Sequence, residues 1–125
     1  MKVLLADDDR VLTALLSGRL RARGVETVVA HDAMQALMTA MRSPPDAIVL
    51  DIQMPGGTGL EALRKLKASS KTAAIPVLVL SGSGSNDTAE QVKSLGANDF
   101  LLKPIEPETL YRALCRALGQ AVPES

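Results

Sequence analysis

A chain of 125 residues, 46% hydrophobic and 22% charged, has the size and apolar content of one folded domain, which buries roughly two-thirds of the surface its unfolded chain exposes. Fourteen lysines and arginines balance fourteen aspartates and glutamates, and the only basic cluster, Arg19, Arg21 and Arg23, sits where cations complement the negative end of a helix dipole, so no direct nucleic acid binding is expected. The single cysteine, Cys115, excludes an intramolecular disulfide and a Cys-rich zinc site, and the run Val3 to Ala6 is too short for a secretory or spanning segment, so a cytoplasmic protein without membrane contact is expected.

In chain order, Val3 to Ala6 predicts a first strand, and Val11, Leu12, Leu15, Leu16 and Leu20 predict a helix closed by Gly24. Val25 to Ala30, carrying Glu26 and Thr27, predicts an edge strand. Met34, Leu37, Met38 and Met41 form the apolar stripe of a second helix, which Ser43, Pro44 and Pro45 end. Ala47 to Leu50 is a third strand, followed by a helix on Leu60, Leu63 and Leu66. Val77 to Leu80 is a fourth strand, followed by a helix on Val92 and Leu95 closed by Gly96. Phe100 to Leu102 is a fifth strand, followed by a helix that starts at Pro107 and carries Leu110, Leu114 and Leu118. Runs apolar on both faces suit a buried parallel sheet, and strict alternation with helices requires right-handed crossovers. The expected fold is α/β: a flavodoxin-like (βα)5 three-layer sandwich with a five-stranded parallel sheet of order 2-1-3-4-5. Residues 1–118 form the domain, and 119–125, which lack periodicity, form a tail or linker stub.

In such sheets ligands bind beyond the carboxyl ends of the strands, near the point where strand order reverses. The first strand ends in Asp7, Asp8 and Asp9, the third in Asp51, the fourth in Ser81 and the fifth in Lys103, whereas the second, ending at Ala30 and His31, contributes little. Asp9 adjoins the helical stripe and is read as the N-cap of the first helix. Three carboxylates about 5 Å apart would repel by roughly 3 kcal/mol per pair at an effective dielectric of about 20. A hard divalent cation that takes oxygen ligands, keeps several waters and meets phosphate offsets this, and Mg²⁺ fits better than an all-protein Ca²⁺ cage. Lys103 supplies a second positive charge. The set suits phosphoryl transfer to a carboxylate, with Asp51 attacking in line.

The strings Leu5-Ala6-Asp7-Asp8-Asp9, Asp51-Ile52-Gln53-Met54-Pro55 with Gly59, Ser81-Gly82 and Lys103-Pro104 resemble the four signature blocks of response-regulator receiver domains of bacterial two-component signalling, over about residues 2 to 118. The resemblance implies that Asp51 is the phospho-acceptor and that Asp8, Asp7, Asp51 and the backbone carbonyl of Gln53 bind Mg²⁺. It further implies that Ser81 and Lys103 sense the phosphoryl group, that Phe100 stands at the aromatic switch position where relatives often carry tyrosine, and that the Lys103-Pro104 bond is cis. Gln53 and Ser83 resemble positions that tune dephosphorylation. The implied protein is a signalling switch rather than an enzyme, although it assists its own phosphorylation and dephosphorylation. Its implied partners are a histidine kinase or histidine phosphotransfer protein and a downstream protein target or an output domain outside this chain. The face of the fourth helix, fifth strand and fifth helix is the implied partner or phosphorylation-dependent homodimer surface.

Three other readings fit less of the chain. A receiver-shaped interaction module that is never phosphorylated would not need the complete acidic set. Asp7-Asp8-Asp9-Arg10-Val11 fits the Asp-x-Asp-x-Val pattern of haloacid-dehalogenase-like phosphatases, but after Ser81 only Asp87 and Asp99 remain as aspartates, not in the acidic pair that family needs. Gly82-Ser83-Gly84 suggests a nucleotide loop, yet Asp87 replaces the third glycine of the fingerprint and no Walker lysine follows.

Overall fold

The computed structural model describes residues 1–54, 59–82 and 86–123. Strands β1 (Lys2–Ala6), β2 (Glu26–Ala30), β3 (Ala47–Asp51), β4 (Val77–Ser81) and β5 (Asp99–Leu102) alternate with helices α1 (Arg10–Ala22), α2 (Ala33–Arg42), α3 (Gly59–Ala68), α4 (Asn86–Ser94) and α5 (Pro107–Ala117). All strand pairs are parallel and the order is β2-β1-β3-β4-β5, the flavodoxin-like arrangement expected from the sequence. Residues of β3 and β4 are buried throughout, because helices cover both faces of these central strands, whereas β2 is an edge strand with Glu26 exposed. β3 and β4 each run one residue further than the apolar pattern suggests, so Asp51 and Ser81 are held as the last residues of strands.

The period-2 alternation of the strands divides the core in two. Leu4, Ile48, Leu50, Val77 and Val79 pack on one face with Ala36, Leu63, Leu66 and Val92 from α2, α3 and α4. Val3, Leu5, Val49, Leu78 and Leu80 pack on the other with Leu16, Leu20, Leu110 and Leu114 from α1 and α5. Gly24, at φ 82°, turns the chain out of α1 in a conformation that a side chain would strain, and its N–H bonds to the Arg21 carbonyl at 2.9 Å.

Two helices present faces other than those their large apolar residues predict. On α1 the buried positions are Thr13, Leu16, Ser17 and Leu20, while Val11 and Leu15 are exposed. The two hydroxyls are tolerated inside because they donate back to the Arg10 and Ala14 carbonyls at 3.2 and 3.4 Å. On α2 the buried positions are Ala33, Ala36 and Ala40, and Met34 and Met38 point outward. Alanines at this spacing let the helix lie close to the sheet, and that leaves the longer methionines no room on the inner side.

Candidate functional site

Asp7 follows β1 directly, and its N–H bonds to the Ala30 carbonyl of β2 at 3.0 Å, which continues the sheet pattern one residue beyond the strand. The next two residues break away. Asp9 caps α1, its carboxylate accepting the Leu12 N–H at 3.0 Å, as its position before the helical stripe suggests. Asp8, held between strand and cap, is exposed, while Asp7, Asp51 and Ser81 are buried. Carboxylate oxygens of Asp7, Asp8 and Asp51 lie within 4.8 Å of one another.

Lys103 reaches this cluster from the end of β5. Its N–H bonds to the Ser81 carbonyl at 2.8 Å, and the Lys103-Pro104 peptide that follows is cis. The ammonium stands 2.7 Å from Asp7 Oδ2 and 3.2 Å from Asp51 Oδ2, bridging two buried carboxylates. The other oxygens of these carboxylates are fixed by backbone: Asp9 N–H donates to Asp7 Oδ1 and Gln53 N–H to Asp51 Oδ1, each at 2.9 Å. Asp7 Oδ2 is thus engaged by the Lys103 ammonium.

Burial pushes the Asp7 carboxyl above its ordinary value of 3.8, with the neighbouring Asp51 charge adding to the rise, although the hydrogen bonds from Lys103 and Asp9 and the Lys103 charge pull it down. Burial alone would lower the Lys103 ammonium. The hydrogen bond to Asp7 and the charges of Asp51 and Asp7 outweigh it, so Lys103 lies above 10.5 and is a cation at any physiological pH.

The donor set is hard oxygen throughout, two carboxylates are buried, one opens to solvent, and among the described residues a single ammonium faces all the negative charge. These features fit a small divalent cation that retains water. Gln53 lies across the mouth: its side-chain Oε1 accepts the Gly82 N–H at 3.3 Å, joining the loop after β3 to the loop after β4. Gly59 approaches the same turn so closely that an added Cβ would lie 2.3 Å from Ile52 Cα and 2.6 Å from the Asp51 carbonyl oxygen.

Phe100 is not part of the cluster. It is partly buried against the core on the α2, α3 and α4 side of the sheet. Pro55, Ser83, Gly84 and Ser85 lie outside the described residues. One participant was not expected from the sequence. His31, at the end of the edge strand, places Nδ1 3.0 Å from the Asp7 backbone carbonyl. A carbonyl only accepts, so Nδ1 carries the hydrogen and the ring braces the turn that presents Asp7 and Asp8. The only signal in the sequence was that β2 and β1 end side by side.

The family described as response regulator receiver domain matches residues 3–115. The chain belongs to that family. A receiver domain is a signalling module of two-component systems rather than an enzyme. This receiver domain is 31% identical over 121 residues to the phosphate regulon transcriptional regulatory protein PhoB of Pseudomonas aeruginosa, covering 97% of this chain and 53% of PhoB. The chain thus spans about half the length of the curated relatives it matches. It resembles the receiver domain of the sensor histidine kinase PA1611 from Pseudomonas aeruginosa PAO1, solved with a magnesium ion coordinated in its active site cleft, at a TM-score of 0.86 and 29% identity, covering 95% of this chain and 98% of that one. A response regulator from Burkholderia pseudomallei, solved with a phosphorylated aspartic acid and a calcium ion, matches at a TM-score of 0.83 and 30% identity over 90% of this chain and 65% of that one. Among the described residues no helix is long and apolar enough to cross a membrane.

Proposed function

We propose that this receiver domain is a cytoplasmic phosphorylation switch in which Asp51 accepts a phosphoryl group from the phosphohistidine of a histidine kinase or phosphotransfer protein. The observation that carries this reading is the Lys103 ammonium set between Asp51 and Asp7, beside a third carboxylate and at the open end of the sheet. Asp7, Asp8, Asp51 and the Gln53 backbone carbonyl would hold Mg²⁺, which when bound neutralises the carboxylates and the incoming phosphoryl oxygens.

Asp51 is oriented for attack by the Gln53 N–H on one oxygen and the Lys103 ammonium near the other. The attacking carboxylate oxygen forms its bond to phosphorus as the phosphorus–nitrogen bond to the donor imidazole breaks, and the imidazole leaves with that electron pair. Lys103 then exchanges a carboxylate partner for a phosphoryl oxygen, and Ser81, at the end of the neighbouring strand, supplies a hydroxyl to the same group. The new charge, about −1.5 to −2 at neutral pH, favours the conformation in which Ser81 and Lys103 both contact it, which is how the state of Asp51 reaches the surface.

Gln53 and Ser83 set water access during hydrolysis, and the inward packing of Phe100 responds to the position of Ser81. Val11 and Leu15, exposed on the helix that begins beside the acidic cluster, give a phosphodonor an apolar footing. The α4, β5 and α5 face carries the output to a protein target, an output domain of a longer protein, or a second phosphorylated copy.

Incubation with a small phosphoryl donor and Mg²⁺, followed by intact-mass measurement, tests the reading. Wild type is expected to gain one phosphoryl group, and Asp51→Asn none while keeping its fold. Stoichiometric labelling of Asp51→Asn refutes the acceptor assignment. A wild type that never labels favours an interaction module that works without phosphate.

A further inference from the structure

The outer face of α2 carries large apolar side chains that none of the described residues covers. Met34 and Met38 are 64% and 57% exposed, and Met41 is partly exposed one turn further on. These three residues stand at i, i+4 and i+7, so they form one stripe about 10 Å long, and they account for three of the five methionines in the chain. Inner-side packing does not explain them, because Ala33, Ala36 and Ala40 already fill that side of the helix.

Two shallow grooves run along the stripe. One, of about 320 Å³, is lined by Asp32, Met34, Gln35, Met38, Thr39 and Arg42. The other, of about 460 Å³, is lined by Leu37, Met38, Met41, Arg42 and Lys71. They share Met38 and Arg42 and so form one trough, floored by thioethers and aliphatic carbon and rimmed at one end by two cations. Neither Arg42 nor Lys71 has an ion-pair partner among the described residues. The only carboxylate on the lining, Asp32, is at the opposite end of α2 and is engaged in capping, accepting the Gln35 N–H at 2.7 Å.

Unbranched methionines adapt to varied apolar shapes, and a two-turn stripe beside a shallow groove matches the apolar face of a short helix laid along it. The unopposed cations select what flanks that face. We infer that the α2 trough is a docking surface for an amphipathic helix of a partner protein whose apolar stripe is flanked by aspartate or glutamate. The partner seats its apolar residues on Met34, Met38 and Met41 and its carboxylates on Arg42 and Lys71. This surface is separate from the Asp51 site and does not depend on the phosphorylation reading.

The test uses the full chain with ¹³C-methyl-labelled methionine, titrated with a synthetic amphipathic helical peptide bearing glutamates beside its apolar stripe, and in parallel with the same peptide bearing lysines there. The Met34, Met38 and Met41 methyl signals are expected to shift and saturate with the glutamate peptide, while the buried Met54 signal stays in place and reports an intact fold. Affinity for the lysine peptide should be roughly tenfold weaker, as should that of an Arg42→Glu, Lys71→Glu variant for the glutamate peptide, the scale of losing two exposed ion pairs. Met38→Gln, at an exposed position, should weaken binding and leave phosphorylation of Asp51 unchanged. Unmoved methyl signals overturn the proposal, and so does equal binding of the two peptides. Signals that move with protein concentration alone would give the face to a second copy of this chain and also overturn it.

Discussion

Replacing Lys103 with methionine keeps much of the apolar stem and removes the ammonium that stands 2.7 Å from Asp7 Oδ2 and 3.2 Å from Asp51 Oδ2. At an effective dielectric of about 20, those contacts correspond to roughly 5 to 6 kcal/mol of gross attraction each. Removing the ammonium also ends its own desolvation cost, and Asp7 takes up a proton more readily, so the expected net loss of stability without metal is about 2 to 4 kcal/mol, near the range for breaking a buried pair from one side. Asp7 decides the pH dependence. Its carboxyl is already raised by burial, and the variant loses the Lys103 hydrogen bond and charge that hold it down. A carboxyl whose value is higher folded than unfolded costs stability while ionised, and the cost is relieved as pH falls through the folded value toward the unfolded one. The deficit of Lys103→Met should therefore be largest near about pH 8 and shrink toward about pH 5. In wild type, while Asp7 and Asp51 are ionised, the Lys103 contribution is present below 10.5 and is lost as pH rises through its raised folded value. Urea unfolding at both pH values, with and without Mg²⁺, measures this, and Mg²⁺ should restore part of the deficit at the higher pH. A deficit that is absent, or equal at the two pH values, refutes the electrostatic account of the cluster.

Gly59→Ala should destabilise the protein by about 1 to 3 kcal/mol or more and slow phosphorylation, because its Cβ would strike the backbone of Ile52 and Asp51 rather than a flexible side chain; urea unfolding and labelling rates check this. Thr72→Val should cost about 1 to 3 kcal/mol in thermal or urea unfolding, since the buried hydroxyl donates to the Leu66 carbonyl at 2.6 Å and valine leaves that acceptor unpaired. Leu114→Ala opens a cavity in the α1 and α5 side of the core and should cost about 2 to 5 kcal/mol, with labelling of the folded fraction unchanged.

The strand pattern was legible because runs such as Ala47 to Leu50 and Val77 to Leu80 are short, bounded by turn residues and apolar on both faces, which suits a covered parallel sheet. Once strand order followed, the convergence of Asp7, Asp8 and Asp51 was a matter of topology, since β1 and β3 are neighbours, and Lys103 reaches them from β5, past β4, through the length of its side chain. The helix faces were less legible. On α2, Ala33, Ala36 and Ala40 and Met34, Met38 and Met41 both satisfy helical spacing, and hydrophobicity favours the methionines, yet the available depth against the sheet selects the alanines. On α1, Thr13 and Ser17 read as surface residues until their back-bonding to carbonyls is seen. The brace from His31 to the Asp7 carbonyl and the bridge from Gln53 to Gly82 join residues 24 and 29 positions apart, through contacts that no local pattern encodes.

Which carboxylate carries the phosphoryl group is the point on which the account rests. After reaction with a small phosphoryl donor and Mg²⁺, reductive trapping of the acyl phosphate followed by peptide mass mapping distinguishes the three aspartates directly. Reduction is expected at Asp51 alone. Reduction at Asp7 or Asp8, or an unreduced phosphoester on the Ser81 peptide, would refute the assignment.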